Sequence, residues 1–252
     1  MTEARLGSIL DISTVDWPGR LSSVIFLAGC NLRCPFCQNA GLVPIGSGDR
    51  VDVSTIIDRI ERNSGMIEVV GFCGGEPTLQ EQVLTEICRH AKDCGLETFV
   101  NTNGTQPTVI SQLSSESLLD FLTLDIKAPL NAEDYQRVIG VSDPAGSVVR
   151  KVTETLETCI DAGLKMEART TIVPGLTDDS RCVKLIAGNL PKDLRYVLQQ
   201  FNPEGDILDT KLRQAPQPPR EKLLDLGRIA LEEGLTSVYV RTREKGLEQV
   251  VT

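Results

Sequence analysis

The chain has no excess of basic residues, few aromatics, one histidine and no long apolar run. Each shortage excludes something. Lys and Arg number 26 against 35 Asp and Glu, for a formal net charge of −9. Broad binding to nucleic-acid phosphates needs a basic face, so no nucleic-acid partner is expected. A bilayer span needs about 20 consecutive apolar residues, and no stretch approaches that, so no membrane association is expected. Met1 to Leu10 holds Glu3 and Arg5 and lacks the apolar core of a secretory signal. The expected location is cytoplasmic.

Cysteine is not scarce: there are eight. In a reducing compartment, clustered cysteines serve metals or catalysis more often than disulfides. The 252 residues suffice for one sizeable core, and a single α/β barrel commonly has about this length. A composition of 40% hydrophobic and 24% charged residues is ordinary for a globular protein. One domain over residues 1–252 is expected, with a core at about 20–203 and a C-terminal helix and strand within 214–245.

Strand-like and helix-like stretches alternate. Strands are expected at 22–28, 67–72, 97–101, 121–126, 165–173, 196–201 and 236–241. Helices are expected at 54–62, 79–94, 108–113, 148–162, 178–189 and 220–233, three of them stopped by Gly95, Gly163 and Gly234. This alternation implies βαβ units and a mostly parallel sheet. The expected fold is α/β, a partial (β/α)6-type TIM barrel.

The first six strands run into polar or glycine-rich motifs: GCNLRCPFCQN (Gly29–Asn39), CGGEPT (Cys73–Thr78), NTNGT (Asn101–Thr105), DIKAP (Asp125–Pro129), RTTIVPG (Arg169–Gly175) and QQFNP (Gln199–Pro203). Ligands of parallel α/β folds bind at the carboxyl ends of the strands. Six such ends are expected to converge on one site.

Cys30, Cys34 and Cys37 form a C-x3-C-x2-C triplet. Thiolates bind soft metals and iron–sulfur clusters. Three in one loop can hold three irons of a [4Fe–4S] cube and leave the fourth open to a substrate or cofactor. The competing reading is structural zinc, which takes four Cys or His ligands. Its fourth ligand would have to come from a distance, and the one histidine, His90, lies in an expected helix. The spacing favours the cluster.

The triplet after the first strand resembles the signature of the radical S-adenosylmethionine (SAM) superfamily, and CGGEPT resembles that superfamily's Gly-Gly-Glu-Pro motif. A closer resemblance is to glycyl-radical-enzyme activases, particularly those of anaerobic ribonucleoside-triphosphate reductase. It is carried by Ser13–Asn39 (STVDWPGRLSSVIFLAGCNLRCPFCQN), TNG, DIKAPL and VPGLTD, and weakens after about Pro203.

The resemblance implies a [4Fe–4S] cluster on Cys30, Cys34 and Cys37 with SAM as cofactor. The implied reaction cleaves SAM reductively to a 5′-deoxyadenosyl radical, which generates a glycyl radical on a partner enzyme. The implied partners are anaerobic ribonucleotide reductase and a one-electron donor such as flavodoxin or ferredoxin. The alternative is a radical enzyme acting on a small molecule, like 7-carboxy-7-deazaguanine synthase; DIKAP and VPGLTD favour the activase.

The residues expected at the SAM site follow from the same motifs. Phe36 is expected either to place an aromatic ring beside the adenine or to pack the loop. Gly74 and Gly75 let backbone approach the ligand, Glu76 accepts from its ammonium group, and Pro77 fixes the turn. Thr102 and Asn103 offer hydrogen bonds, while Asn101 stands where many activases carry aspartate. Asp125 and Lys127 alternate and are expected to share a strand face, with Lys127 on the ligand carboxylate or in an internal ion pair. Arg169 is expected to bind the same carboxylate or to pair with Asp125 or Glu167, since an unpaired buried guanidinium is costly. Asn202 is expected near the adenosine. Cys88 and Cys159 read as core, His90 as surface, and Asp16–Pro18 as shaping the cofactor mouth or capping the barrel.

Overall fold

The computed structural model describes residues 2–141 and 144–251; Met1, Ser142, Asp143 and Thr252, which the single-domain reading includes, lie outside them. In chain order the elements are β1 (Glu3–Ser13), β2 (Ser22–Leu27), β3 (Asp49–Asp52), α1 (Val53–Asn63), β4 (Val69–Gly74), α2 (Glu81–Asp93), β5 (Glu97–Thr102) and α3 (Pro107–Ser115). There follow β6 (Phe121–Asp125), α4 (Ala132–Ile139), α5 (Ala145–Asp161), β7 (Lys165–Ile172), α6 (Ser180–Gly188), β8 (Arg195–Gln200), α7 (Arg220–Glu232), β9 (Val238–Thr242) and β10 (Gly246–Gln249). The class is α/β with mostly parallel strands, as expected.

The chain forms two compact units. The first holds residues up to Asn31, Gly41–Thr123 and Glu154–Lys165. Its parallel strands run β2–β4–β5, with Val24 level with Gly71 and Phe72 level with Val100. On the far side of β2, β1 pairs antiparallel, and β3 pairs antiparallel with β1. The sequence pattern misses β1 and β3; in β1, Gly7 interrupts a run of weak alternation, and β3 is a four-residue, mostly charged strand. The structure explains that glycine: a Cβ there would lie 2.6 Å from the Leu42 side chain.

α1 begins at Asp52, whose carboxylate accepts the Ser54 N–H at 2.9 Å. It buries Val53, Ile56 and Ile60, one apolar stripe at helical spacing. Val24, Val69 and Phe99 make the inner cluster of this unit, joined by Trp17, Phe26, Cys73 and Phe121. Trp17 stacks on Phe121 at 4.9 Å and meets Phe99 edge-on at 6.1 Å. The Asp16–Pro18 segment therefore closes a core rather than lying loose. Gly71 is glycine because a Cβ would sit 2.1 Å from the Phe99 ring.

The second unit holds Leu32–Ala40, Leu124–Thr153 and Met166 onward. Its strands β7, β8 and β9 are parallel, and β10 closes the edge antiparallel. Sequence reading misses α4, which is capped by Asn131 accepting the Asp134 N–H and ended by Gly140 at φ 60°. Arg181 bonds both oxygens of Asp134 at 3.0 and 3.1 Å and so joins α6 to α4. No helix among the described residues is long and apolar enough to cross a membrane.

Candidate functional site

In the first unit, β2 ends at Leu27 and the chain reaches Cys30 through Ala28 and Gly29. Backbone pairing fixes this approach: the N–H groups of Gly29 and Cys30 donate to the carbonyls of Leu42 and Val43 at 2.8 and 3.0 Å. The end of β4 lies against the same segment, with Gly75 N–H on the Leu27 carbonyl and Glu76 N–H on that of Gly29.

The glycine pair is explained by this contact. A Cβ on Gly74, at φ 121°, would meet the Leu27 carbonyl oxygen at 2.2 Å. One on Gly75 would meet the Gly29 oxygen, also at 2.2 Å. Here the glycines admit neighbouring backbone of the same chain. Pro77 opens a short 3-10 helix, Pro77–Gln80, and Glu76 is its N-cap.

Glu76 is buried, and burial pushes its carboxyl up from the usual range. One oxygen accepts from Thr78 N, Thr78 Oγ1 and Thr102 Oγ1 at 3.1, 2.6 and 2.8 Å. The other accepts from Asn103 N at 2.7 Å. Glu76 thus ties the end of β4 to the end of β5. Its second oxygen, with one donor, keeps acceptor capacity.

Next to it, Asn103 Nδ2 lies 3.9 Å from Cys30 Sγ and 2.9 Å from Asn31 Oδ1. Asn31 Nδ2 donates to Thr105 Oγ1 at 2.8 Å. Gly104 is braced from α5, where Thr155 Oγ1 donates to its carbonyl at 2.8 Å. Asn101 directs its amide nitrogen to Cys73 Sγ at 3.0 Å. Sequence reading names neither Asn31 nor Thr155; the only available signal for Asn31 was its place beside Cys30.

In the second unit, the loop carrying Cys34, Phe36 and Cys37 is pinned at four points. Arg33 N–H donates to the Ile139 carbonyl at 2.8 Å, beside Gly140, where a Cβ would meet Arg33 O at 2.1 Å. Asp209 N–H bonds Pro35 O at 2.8 Å, and Leu208 N–H bonds Cys37 O at 3.3 Å. Gln38 Nε2 donates to the Asn202 carbonyl at 3.0 Å. Asn202 is thus connected to the cysteine loop through its backbone, while its side-chain oxygen accepts from Glu204 N at 3.1 Å. Residues 206–209, beyond the reach of the sequence motifs, hold the loop. Phe36 and Cys34 are buried, Cys37 is half-buried, and burial pushes the Cys37 thiol up.

Asp125 ends β6, so Lys127 lies past the strand rather than on it, which corrects the expected alternation. Lys127 Nζ still pairs with Asp125 Oδ2 at 2.6 Å. Its backbone N–H donates to the buried Tyr135 hydroxyl at 3.3 Å. Of the partners expected for Arg169, the structure places Glu167: alternate residues of β7 face the same way, and Arg169 Nε donates to Glu167 Oε1. Arg169 Nη2 is buried and has no hydrogen-bond partner among the described residues.

The donor set fits an iron–sulfur group in its chemistry. Cys30, Cys34 and Cys37 are soft ligands, and none is in a disulfide. Among the described residues, no three His, Cys, Asp or Glu side chains are gathered as a ready metal site. The orphaned Nη2 of Arg169 fits an anionic group of a cofactor, since a buried donor is costly without a partner. The other cysteines behave as packing: Cys88, Cys159 and Cys182 are buried, and burial raises the last two thiols to about 12. His90 meets Glu61 at 3.2 Å on the surface of α2.

Comparison with known proteins agrees with this chemistry. Residues 24–183 match the family described as the Radical SAM superfamily. A candidate glycyl-radical enzyme activating enzyme of Methanocaldococcus jannaschii is 32% identical over 240 residues, covering 95% of this chain and 97% of that protein. The pyruvate formate-lyase-activating enzyme of Clostridium pasteurianum is 28% identical over 201 residues, 78% of this chain and 80% of that protein. Among solved structures, a radical SAM methyltransferase from Sphaerobacter thermophilus superposes with a TM-score of 0.68 at 18% identity, over 89% of this chain and 67% of that one. Radical SAM enzymes use a [4Fe–4S] cluster and SAM. This chain belongs to the radical SAM superfamily and groups with its glycyl-radical-enzyme activating enzymes.

Proposed function

We propose that this enzyme activates anaerobic ribonucleoside-triphosphate reductase by generating a glycyl radical on it. When bound, the cluster and SAM supply one-electron cleavage of a carbon–sulfur bond, giving methionine and a 5′-deoxyadenosyl radical that takes hydrogen from a glycine α-carbon of the partner. Cys30, Cys34 and Cys37 hold the cluster. A flavodoxin or ferredoxin supplies the electron.

The chain's own groups bind and orient SAM. Arg169 and Lys127 take its carboxylate, with Asp125 and Glu167 holding the two cations. Glu76 accepts from its ammonium group through the oxygen that carries one donor. Phe36 and Asn202 flank the adenosine, Thr102 and Asn103 donate nearby, and Gly74, Gly75 and Pro77 set the backbone. The observation that carries this reading is Arg169 Nη2, a buried guanidinium donor without a partner among the described residues.

The choice of ribonucleotide reductase rests on the Ser13–Asn39, DIKAPL and VPGLTD segments. The test is anaerobic reconstitution followed by assay of deoxyadenosine and of a glycyl radical by electron paramagnetic resonance. The reading expects both signals with the reductase of the same organism, and neither after Cys30→Ala, Cys34→Ala or Cys37→Ala. Deoxyadenosine without a glycyl radical on the reductase would sink the partner assignment. Deoxyadenosine that survives loss of all three cysteines would sink the mechanism.

A further inference from the structure

Three side chains beside Cys30 form a closed hydrogen-bonded ring whose direction is set by one backbone group. Thr105 N–H donates to Asn103 Oδ1 at 3.0 Å. A backbone N–H can only donate, so this end of the Asn103 amide is the oxygen. The same oxygen accepts from Thr105 Oγ1 at 2.7 Å. Asn103 Nδ2 therefore faces the other way, toward Asn31 Oδ1 at 2.9 Å and Cys30 Sγ at 3.9 Å. Asn31 closes the ring by donating from Nδ2 to Thr105 Oγ1 at 2.8 Å. Neither amide can flip without breaking two bonds.

The ring is also sheltered. Asn103 is 6% exposed and Thr105 1%. The Asn103 backbone N–H is committed to Glu76, which fixes the main chain under the ring. One amide hydrogen goes to Asn31 and the second is directed at sulfur. A contact of 3.9 Å is long for a neutral thiol and is drawn in when the sulfur carries negative charge.

We propose that Asn103, oriented by Asn31 and Thr105, is a positioning residue that donates a hydrogen bond to the Cys30 sulfur and raises the reduction potential of the cluster held there. The inference rests on the cluster reading above. Adding one electron increases negative charge on the cluster and its ligand sulfurs. An N–H donor aimed at a ligand sulfur stabilises the reduced form, a recognised control on such potentials. Asn31 and Thr105 act through Asn103.

The test is a potentiometric titration of the reconstituted full chain with dithionite, read by electron paramagnetic resonance, with iron and sulfide counted per chain. Asn103→Ala is expected to keep its cluster and shift the midpoint to a more negative value. Asn103→Asp, which loses the donor and adds a charge, is expected to shift it further. Asn31→Ala and Thr105→Val are expected to give smaller shifts of the same sign, and Thr105→Ser to return the wild-type value.

Should Asn103→Ala not fold, Asn31→Ala reads the same quantity with Asn103 and Cys30 intact. An assembled cluster with an unmoved potential in these variants overturns the proposal, as does a Thr105→Ser shift equal to that of Thr105→Val. A wild-type chain that takes up no iron and sulfide is a different result: it overturns the cluster reading and this inference with it.

Discussion

The backbone N–H of Asn103 donates to the Glu76 carboxylate at 2.7 Å, so the turn after β5 is held by the cap of the turn after β4. Four donors from three residues converge on Glu76. Glu76→Ala leaves them buried without their acceptor, and each such group costs about 1–3 kcal/mol. Allowing for partial relaxation, the expected loss is about 3 kcal/mol, read by urea unfolding of the apoprotein. A loss below about 0.5 kcal/mol, the scale of ordinary surface changes, would mean the network is not cooperative.

Gly75 and Gly74 separate a backbone requirement from a ligand requirement. Gly75→Ala is expected to destabilise the apoprotein by about 2 kcal/mol or more, since the clash is with main chain that has little room to give. Gly65→Ala is the control: nothing lies within 4 Å of its Cβ position, and the change is expected within about 0.5 kcal/mol. Wild-type stability in Gly75→Ala with loss of SAM binding alone would return the glycine to a ligand role.

Gly71 and Phe99 are a matched pair. Gly71→Ala places a methyl group 2.1 Å from the Phe99 ring and disturbs its edge contact with Trp17. The expected cost is about 1–3 kcal/mol. Adding Phe99→Leu is expected to cost less than the sum of the two single changes, because residues in contact couple. Additive losses in a double-mutant cycle would count against this packing.

Asp134 links stability to pH. The two bonds from the Arg181 guanidinium hold its carboxyl below the usual range. The folded state therefore stays deprotonated at pH values where the unfolded chain has bound a proton. The stabilisation is present above the unfolded pKa of about 3.9 and is lost as pH falls through the lower folded value. Asp134→Asn is expected to cost about 1 kcal/mol at neutral pH. The gap between wild type and variant should close on acidification through that window, as followed by urea unfolding. A gap that stays constant with pH would assign the loss to the Asn131 cap instead.

Much of the candidate site was legible because its signals are local. The C-x3-C-x2-C spacing, the glycines that stop helices and the strand-to-motif phase all lie within short stretches. The pairing of Asp125 with Lys127, and of Arg169 with Glu167, was within reach because each pair is two residues apart. The long first strand escaped notice because Gly7 breaks its pattern, and what requires that glycine is Leu42, far along the chain.

The sequence by itself determined the α/β alternation, the thiol donor set and the strand ends that bear polar motifs, since periodicity and spacing are properties of neighbouring residues. Only the tertiary structure decided that Gly75 is glycine because of Gly29, that Gly140 yields to Arg33 O, and that Pro35 is held by Asp209. It also decided which way the Asn103 amide points. The three backbone relations join residues tens of positions apart or more, while the amide direction combines Thr105, its neighbour but one, with the distant Asn31. They depend on the register between strands and on hydrogen-bond direction, neither of which a linear pattern records.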